Sequence, residues 1–269
     1  MIRIQQQRGR SAGPPHAAWA FVMALAVLLA LGAGAAWAQP VSPAEVLLFE
    51  TDHLARTKAP AVLFYDFRKV SNVEAGYTDT VELDLTKEDG HMHAQLRFLS
   101  GVRKRELPDI DDAHGNPVLL GFLEHDIAEM KRLTGGSTTY FRKRIRMALA
   151  EGAQVTPQRI TYGGATVEGK AVRIQPYLDD PLHARFEAYV HKTYTFVLSD
   201  AVPGGVYQIA TSLGTSGPGR TINAAADPAK GVQPGALADA RVAKRPEKAG
   251  EAPSIEETLT LVRVADPKR

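Results

Sequence analysis

The sequence predicts an α+β fold: a large, curved, mostly antiparallel sheet of about nine strands with two central amphipathic helices packed on it. Three observations predict it. Segments such as Thr80 to Thr86 and His91 to Leu99 alternate apolar and polar residues with a period of two, as half-buried strands do. Glycine-rich turns, Asp89-Gly90 and Gly163-Gly164, join consecutive segments over short distances, which favours hairpins. Between Asn116 and Gly152 the period changes to three and four residues, the repeat of a helix face. Neither helix can bury its apolar stripe alone, so both must lie on the sheet.

In chain order, residues 1–38 come first. Arg3, Arg8 and Arg10 form a basic start, Ala17 to Leu31 an apolar run, and Ala36-Trp37-Ala38 a small-x-small cleavage pattern. A signal peptide cleaved near Ala38 is expected, with the mature chain beginning at Gln39. It would carry no transmembrane span and would be periplasmic or secreted. Residues 39–213 form the β-rich domain. Val46 to Asp52 is the first expected strand, then Ala61 to Val70, where Leu63, Tyr65 and Phe67 share a face. Val81, Leu83 and Leu85 share one in the next strand, and Met92, Ala94, Leu96 and Phe98 in the third. Leu107 to Gly115 is an acidic loop.

Helices are expected over residues 116–151. Asn116 is an N-cap residue, with Pro117 at the first helical position. Leu120, Leu123, Ile127 and Met130 make the apolar stripe, beside Leu119 and Phe122. Glu124, His125, Asp126, Glu129 and Lys131 fall mostly on a wet face. Gly135 supplies a left-handed stop and Ser137 caps the second helix, which buries Phe141, Ile145, Ala148 and Leu149. Gln158 to Tyr162, Thr166 to Tyr177, a long strand from Arg185 to Leu198, and Val206 to Leu213 follow. Residues 214–254 are rich in Gly, Pro, Ala and charge and read as a disordered insertion. Residues 255–269 hold the last strand, which returns to the sheet.

Composition narrows the function classes. There are no cysteines, so an exported chain of this kind relies on an ordinary core rather than disulfides, and a cysteine-borne lipid anchor is excluded. Residues 1–38 carry three arginines and no acids, so the formal charge of +2 becomes −1 on cleavage. That charge argues for no nucleic-acid partner.

Motifs for chemistry are sparse. His91 and His93 share a strand face, and His125 and Glu129 are an i, i+4 pair; both geometries permit metal ligation, and both fit exposed surfaces. Asp109, Asp111 and Asp112 miss the spacing of a calcium loop, with His114 where its glycine would fall. Thr134-Gly135-Gly136-Ser137 fits a helix–helix turn and, less specifically, an anion site at a helix start; the lysine of a P-loop is missing. The chain contains neither a G-x-S-x-G elbow nor an S-x-x-K set with partners. No catalytic residue, cofactor or metal is assigned.

The element order over Val46–Val264 resembles the LolA/LolB-like group of periplasmic lipoprotein carriers. The stretch from Gly115-Asn116-Pro117 through Tyr140-Phe141-Arg142 to Arg146 is similar to proteobacterial exported proteins. The first resemblance implies an open half-barrel whose apolar cavity is closed by helices, and hence a lipid or other apolar small molecule as ligand. Phe98, Leu123, Ile127, Met130, Phe141, Ile145 and Phe196 are the candidate cavity residues, and the same residues equally suit a dry core. The alternative is a non-enzymatic envelope module that meets a protein partner through basic Arg142, Lys143, Arg144 and Arg146 or through residues 214–254. A third is a hydrolase or metal-dependent enzyme centred on His91, His93 or His125.

Overall fold

Eight strands form one antiparallel sheet in a computed structural model that describes residues 40–214 and 252–266. Residues 1–38, read as a signal peptide, and nearly all of the 214–254 insertion lie outside the described residues.

β1 (Ala61–Ser71), β2 (Tyr77–Glu88) and β3 (His91–Phe98) are consecutive hairpins. Their inward residues are those the alternation predicts: Leu63, Tyr65 and Phe67, then Val81, Leu83 and Leu85, then Ala94, Leu96 and Phe98 are all buried. Asp89 and Gly90 both adopt positive φ, the backbone of a tight hairpin turn. After the helices come β4 (Gln154–Tyr162), β5 (Ala165–Ile174), β6 (Thr193–Leu198), β7 (Val206–Leu213) and β8 (Ile255–Ala265). The order across the sheet is β3-β2-β1-β8-β7-β6-β5-β4. The last strand therefore returns to the middle, pairing with β1 and β7.

This order explains why the helices are central. They connect β3 to β4, and those two strands are the opposite edges of the sheet. The connection must cross the whole face. α1 (Val118–Thr134) and α2 (Thr138–Glu151) make that crossing, and their buried residues join one core with the inward face of the strands. Asn116 caps α1 as its position suggests, its Oδ1 accepting the Val118 N–H at 3.0 Å. Gly135 takes φ 72° at the helix end. The Ser137 Oγ accepts the Tyr140 N–H at 3.2 Å.

Two segments depart from expectation. Val46 to Asp52 is not a strand. Pro43–Glu45 is helical and continues as a wider turn over Val46–Glu50. The cause lies just upstream: Ser42 and Glu45 form a reciprocal capping box, the Ser42 Oγ accepting the Glu45 N–H at 3.1 Å and the Glu45 carboxylate accepting the Ser42 N–H at 3.0 Å. The long strand from Arg185 is also shorter, starting at Thr193. Its first part is two 3-10 turns, His183–Arg185 and Glu187–Tyr189, preceded by Asp180, whose carboxylate takes the Leu182 N–H at 2.8 Å. Eight strands result instead of nine.

Candidate functional site: a buried charge cluster and its cleft

α1 presents more than an apolar stripe to the sheet. Leu119, Phe122, Leu123, Ile127 and Met130 are buried, and so are His125 and Asp126, while Leu120 is exposed. The buried face is rotated relative to the stripe the sequence suggests, and two polar residues of the expected wet face point inward. The sheet supplies the reason. Its inner face carries Lys69 at the end of β1, Glu257 on β8 and Tyr194 on β6, all buried, and Lys192 just before β6 is buried as well.

The resulting cluster has two parts. In the first, the Lys69 ammonium is 2.9 Å from Glu74, 3.0 Å from Glu129 and 3.0 Å from Glu257. Arg132 extends it, bonding both Glu74 and Glu129. In the second, Asp126 accepts a close hydrogen bond from Lys192 and one at 2.5 Å from the Tyr194 hydroxyl. Tyr177 lies 3.0 Å beyond Tyr194. A separate pair links α2 to the loop after β5, where Arg144 meets buried Asp180 at 2.9 Å.

Burial disfavours the charges on Lys69, Glu129 and Glu257, so their partners decide the protonation states. Burial opposes the charge on Lys69, and Glu257 together with bonds to Glu74 and Glu129 outweighs it, so the ammonium is held above the usual lysine range. Burial likewise pushes Glu129 up, and bonds from Arg132 and Lys69 bring it down to about 2. Glu257 is also lowered to about 2: His125, Lys192 and Lys69 together overcome its burial. Burial and the neighbouring Asp126 raise Tyr194 well above a free phenol, so it stays a donor.

His125 is placed differently, near Glu257 without a direct bond to it. It is 3% exposed, and its ring lies edge-on to Phe67 and tilted on Phe98, at centroid distances of 5.3 and 5.6 Å. Neither ring nitrogen has a hydrogen-bond partner among the described residues, and Nε2 is 3.9 Å from Glu257, too far for a direct bond. His125 forms part of the wall of a cleft of about 310 Å³ that also meets Lys69, Tyr77, Glu129, Arg132 and the loop Val102–Arg105. A second cleft, of about 390 Å³, lies between Ser42–Ala44, the end of α2 and Val155.

The seven apolar candidates are brought together. Phe98, Leu123, Ile127, Met130, Phe141, Ile145 and Phe196 are all in the buried core, at most 6% exposed, and none lines either cleft. The four basic candidates separate. Lys143 and Arg146 are exposed, Arg142 pairs with Glu124 at 2.8 Å, and Arg144 is drawn to Asp180. His91 and His93 sit near the β2–β3 turn, bonded to Asp112 and Asp111 at 2.8 Å each. Those aspartates belong to the acidic loop, which lies along the edge of β3 through Ala94–Ile110 and Phe98–Arg105 bridges. Among the described residues, no group of three or more metal-ligating side chains is placed to hold an ion. The Gly135 N–H bonds the Lys131 carbonyl and the Gly136 N–H bonds Thr134, so these amides of the helix–helix turn are occupied.

Sequence reasoning missed Lys69, Lys192, Tyr194 and Glu257. One signal was available: Lys69 and Glu257 both fall on inward positions of alternating strands, in phase with Phe67 and Leu259. Among the described residues, no helix is long and apolar enough to cross a membrane.

No family model and no curated protein matches the chain. Among solved structures, the chain is similar to the Mycobacterium tuberculosis lipoprotein LppX, with 10% sequence identity and a TM-score of 0.29 over 81% of this chain and 95% of that one.

Proposed function

We propose that this chain is an exported envelope protein that binds and carries a lipid or another apolar ligand between its helix pair and its sheet. One observation carries the reading: the helix layer crosses an open sheet from edge to edge and is fastened to it in part by buried ion pairs, Lys69 to Glu129 and Lys192 to Asp126. Such pairs define one closed position but add little net stability over an apolar seam, because desolvation offsets most of their attraction. A layer held this way separates from the sheet at lower cost than a wholly apolar one. Phe98 and Phe196 on the sheet and Leu123, Ile127, Met130, Phe141 and Ile145 on the helices now pack in one core. An acyl chain entering between the layers exchanges those contacts for equivalent apolar ones, so little hydrophobic burial is lost.

Native mass spectrometry of the mature protein, purified gently from its own envelope, tests this. An adduct of lipid mass is expected. Added fatty acid at a hundred times its dissociation constant should stabilise the fold by about 2.7 kcal/mol, a rise in melting temperature of several degrees. An empty protein that no acyl ligand stabilises overturns the carrier reading.

A further inference from the structure

We propose that His53 is an acid-sensitive latch on the start of α1: taking up a proton breaks the bond that fixes Asn116 and loosens the first turn of the helix layer. The inference stands on the fold and does not require the carrier reading.

The geometry leaves His53 one working protonation state. Its side chain is buried, and it lies in the loop between the N-terminal helical turn and β1. Nδ1 is 3.2 Å from the Asn116 backbone nitrogen, and Nε2 is 2.8 Å from the Leu47 carbonyl oxygen. A backbone N–H can only donate and a carbonyl oxygen can only accept. Nδ1 must therefore be bare and Nε2 must carry the hydrogen, which is one tautomer of the neutral imidazole. A protonated ring donates from both nitrogens. Its Nδ1–H would face the Asn116 N–H, donor against donor, and the bond is lost.

The ring has little room to turn away. Gly205, in the turn before β7, comes so close that a Cβ there would stand 3.0 Å from both the Cβ and the Cδ2 of His53. Asn116 carries the disturbance further. Its side chain caps the Val118 N–H and donates to the Tyr65 hydroxyl and the Gly204 carbonyl. The proton thus acts where α1, β1 and the β6–β7 turn meet.

The titratable and charged groups around His53 are Asp52 beside it and Asp200 on the β6–β7 turn, with Arg56 at 3.4 Å from Asp200 and His114 at 3.0 Å from Asp52. The Tyr65 hydroxyl lies beyond Asn116, and its burial holds it above the ordinary phenol range. Burial holds His53 below the ordinary histidine range, against the Leu47 carbonyl and the two aspartates, which favour the charged ring. A histidine lowered on folding stabilises the native state above its unfolded value, and that contribution is lost as pH falls from about 6.5 toward the folded value. The response therefore begins well above the acid window of Glu129 and Glu257.

Amide exchange on the mature protein tests this, read by NMR as protection relative to each amide's intrinsic rate, from about pH 7.5 to about pH 5. His53→Gln and His114→Gln are run in parallel. In the wild type the Asn116, Val118 and Leu119 amides should lose about tenfold in protection over that range, while those of β2 and β3 keep theirs. His114→Gln should respond like the wild type, and His53→Gln, which takes up no proton, should give a flat profile. A flat wild-type profile, the same loss in His53→Gln, or a loss shared equally by β2 and β3 overturns the latch. The imidazole nitrogen shifts of the wild type decide the matter without any variant. A hydrogen on Nε2 at neutral pH, and a titration in step with the amide loss, are expected; a hydrogen on Nδ1, or a titration out of step, overturns the proposal.

Discussion

At the scale of single residues, Lys69 and the carboxylates around it govern how the closed form responds to pH. Glu129 and Glu257 both sit near 2 in the fold against an ordinary value of 4.5. A carboxyl lowered on folding stabilises the native state above its unfolded value, and that stabilisation fades as pH falls toward the folded value. Stability should therefore hold down to about pH 4.5 and decline between there and about pH 2. Glu129 alone contributes at most on the order of 3 kcal/mol to that decline. Thermal melts from pH 6 to pH 2 check it. Glu129→Gln, less stable at neutral pH, should show a shallower acid slope; an unchanged slope would mean that Glu129 is not part of the acid transition. Lys69 titrates the other way, its raised value keeping it charged throughout this window.

At the scale of elements, the seat of α1 on the sheet depends on Gly121. A Cβ there would stand 2.8 Å from Leu96 and 2.9 Å from Phe98, both buried side chains of β3. A larger residue has to lift the helix or push β3 aside. Gly121→Val should cost about 1–3 kcal/mol through overpacking, against a gain of a few tenths from helix propensity. Chemical denaturation measures the difference, and a neutral result would show that this seam already yields. The start of the same helix shows how far local pattern reaches. The Asn-Pro cap was legible, because capping involves neighbours in sequence. The other bonds of Asn116 were not: its amide also donates to the Tyr65 hydroxyl at 3.0 Å and to the Gly204 carbonyl at 2.7 Å. Those partners belong to β1 and to the turn before β7. The misread segment from Val46 to Asp52 is the converse case. Its apolar residues suit a strand, and the capping box that starts a helical turn sits just ahead of it.

At the scale of the whole molecule, the return of β8 to the centre of the sheet pairs it with β7, the strand that precedes residues 215–251 in the chain. Leu213 pairs with Ile255, and Ser254 is tied to Asn72 by hydrogen bonds in both directions. Replacing residues 215–251 with a four-residue turn removes about three doublings of loop length, worth about 2 kcal/mol of closure entropy. The shortened protein should melt at or above the parent temperature by calorimetry. A fall of many degrees would show that the segment packs on the domain. The same deletion separates the carrier reading from the partner-binding one, since a carrier keeps its ligand when the segment is gone.

By itself the sequence determined the fold class, most strand positions, and both helices with their caps. Each of these follows from short-range rules: side-chain alternation, a 3.6-residue repeat, and turn and cap chemistry. The tertiary structure alone decided the strand order, which sends the helices across the sheet, and the charge cluster under α1. His125, Asp126 and Glu129 read as a solvated face because polar residues on a helix normally are. For Asp126 and Glu129 that burial becomes tolerable only when Lys69, Lys192 and Tyr194, distant in sequence, are brought against them to take up their charges and hydrogen bonds.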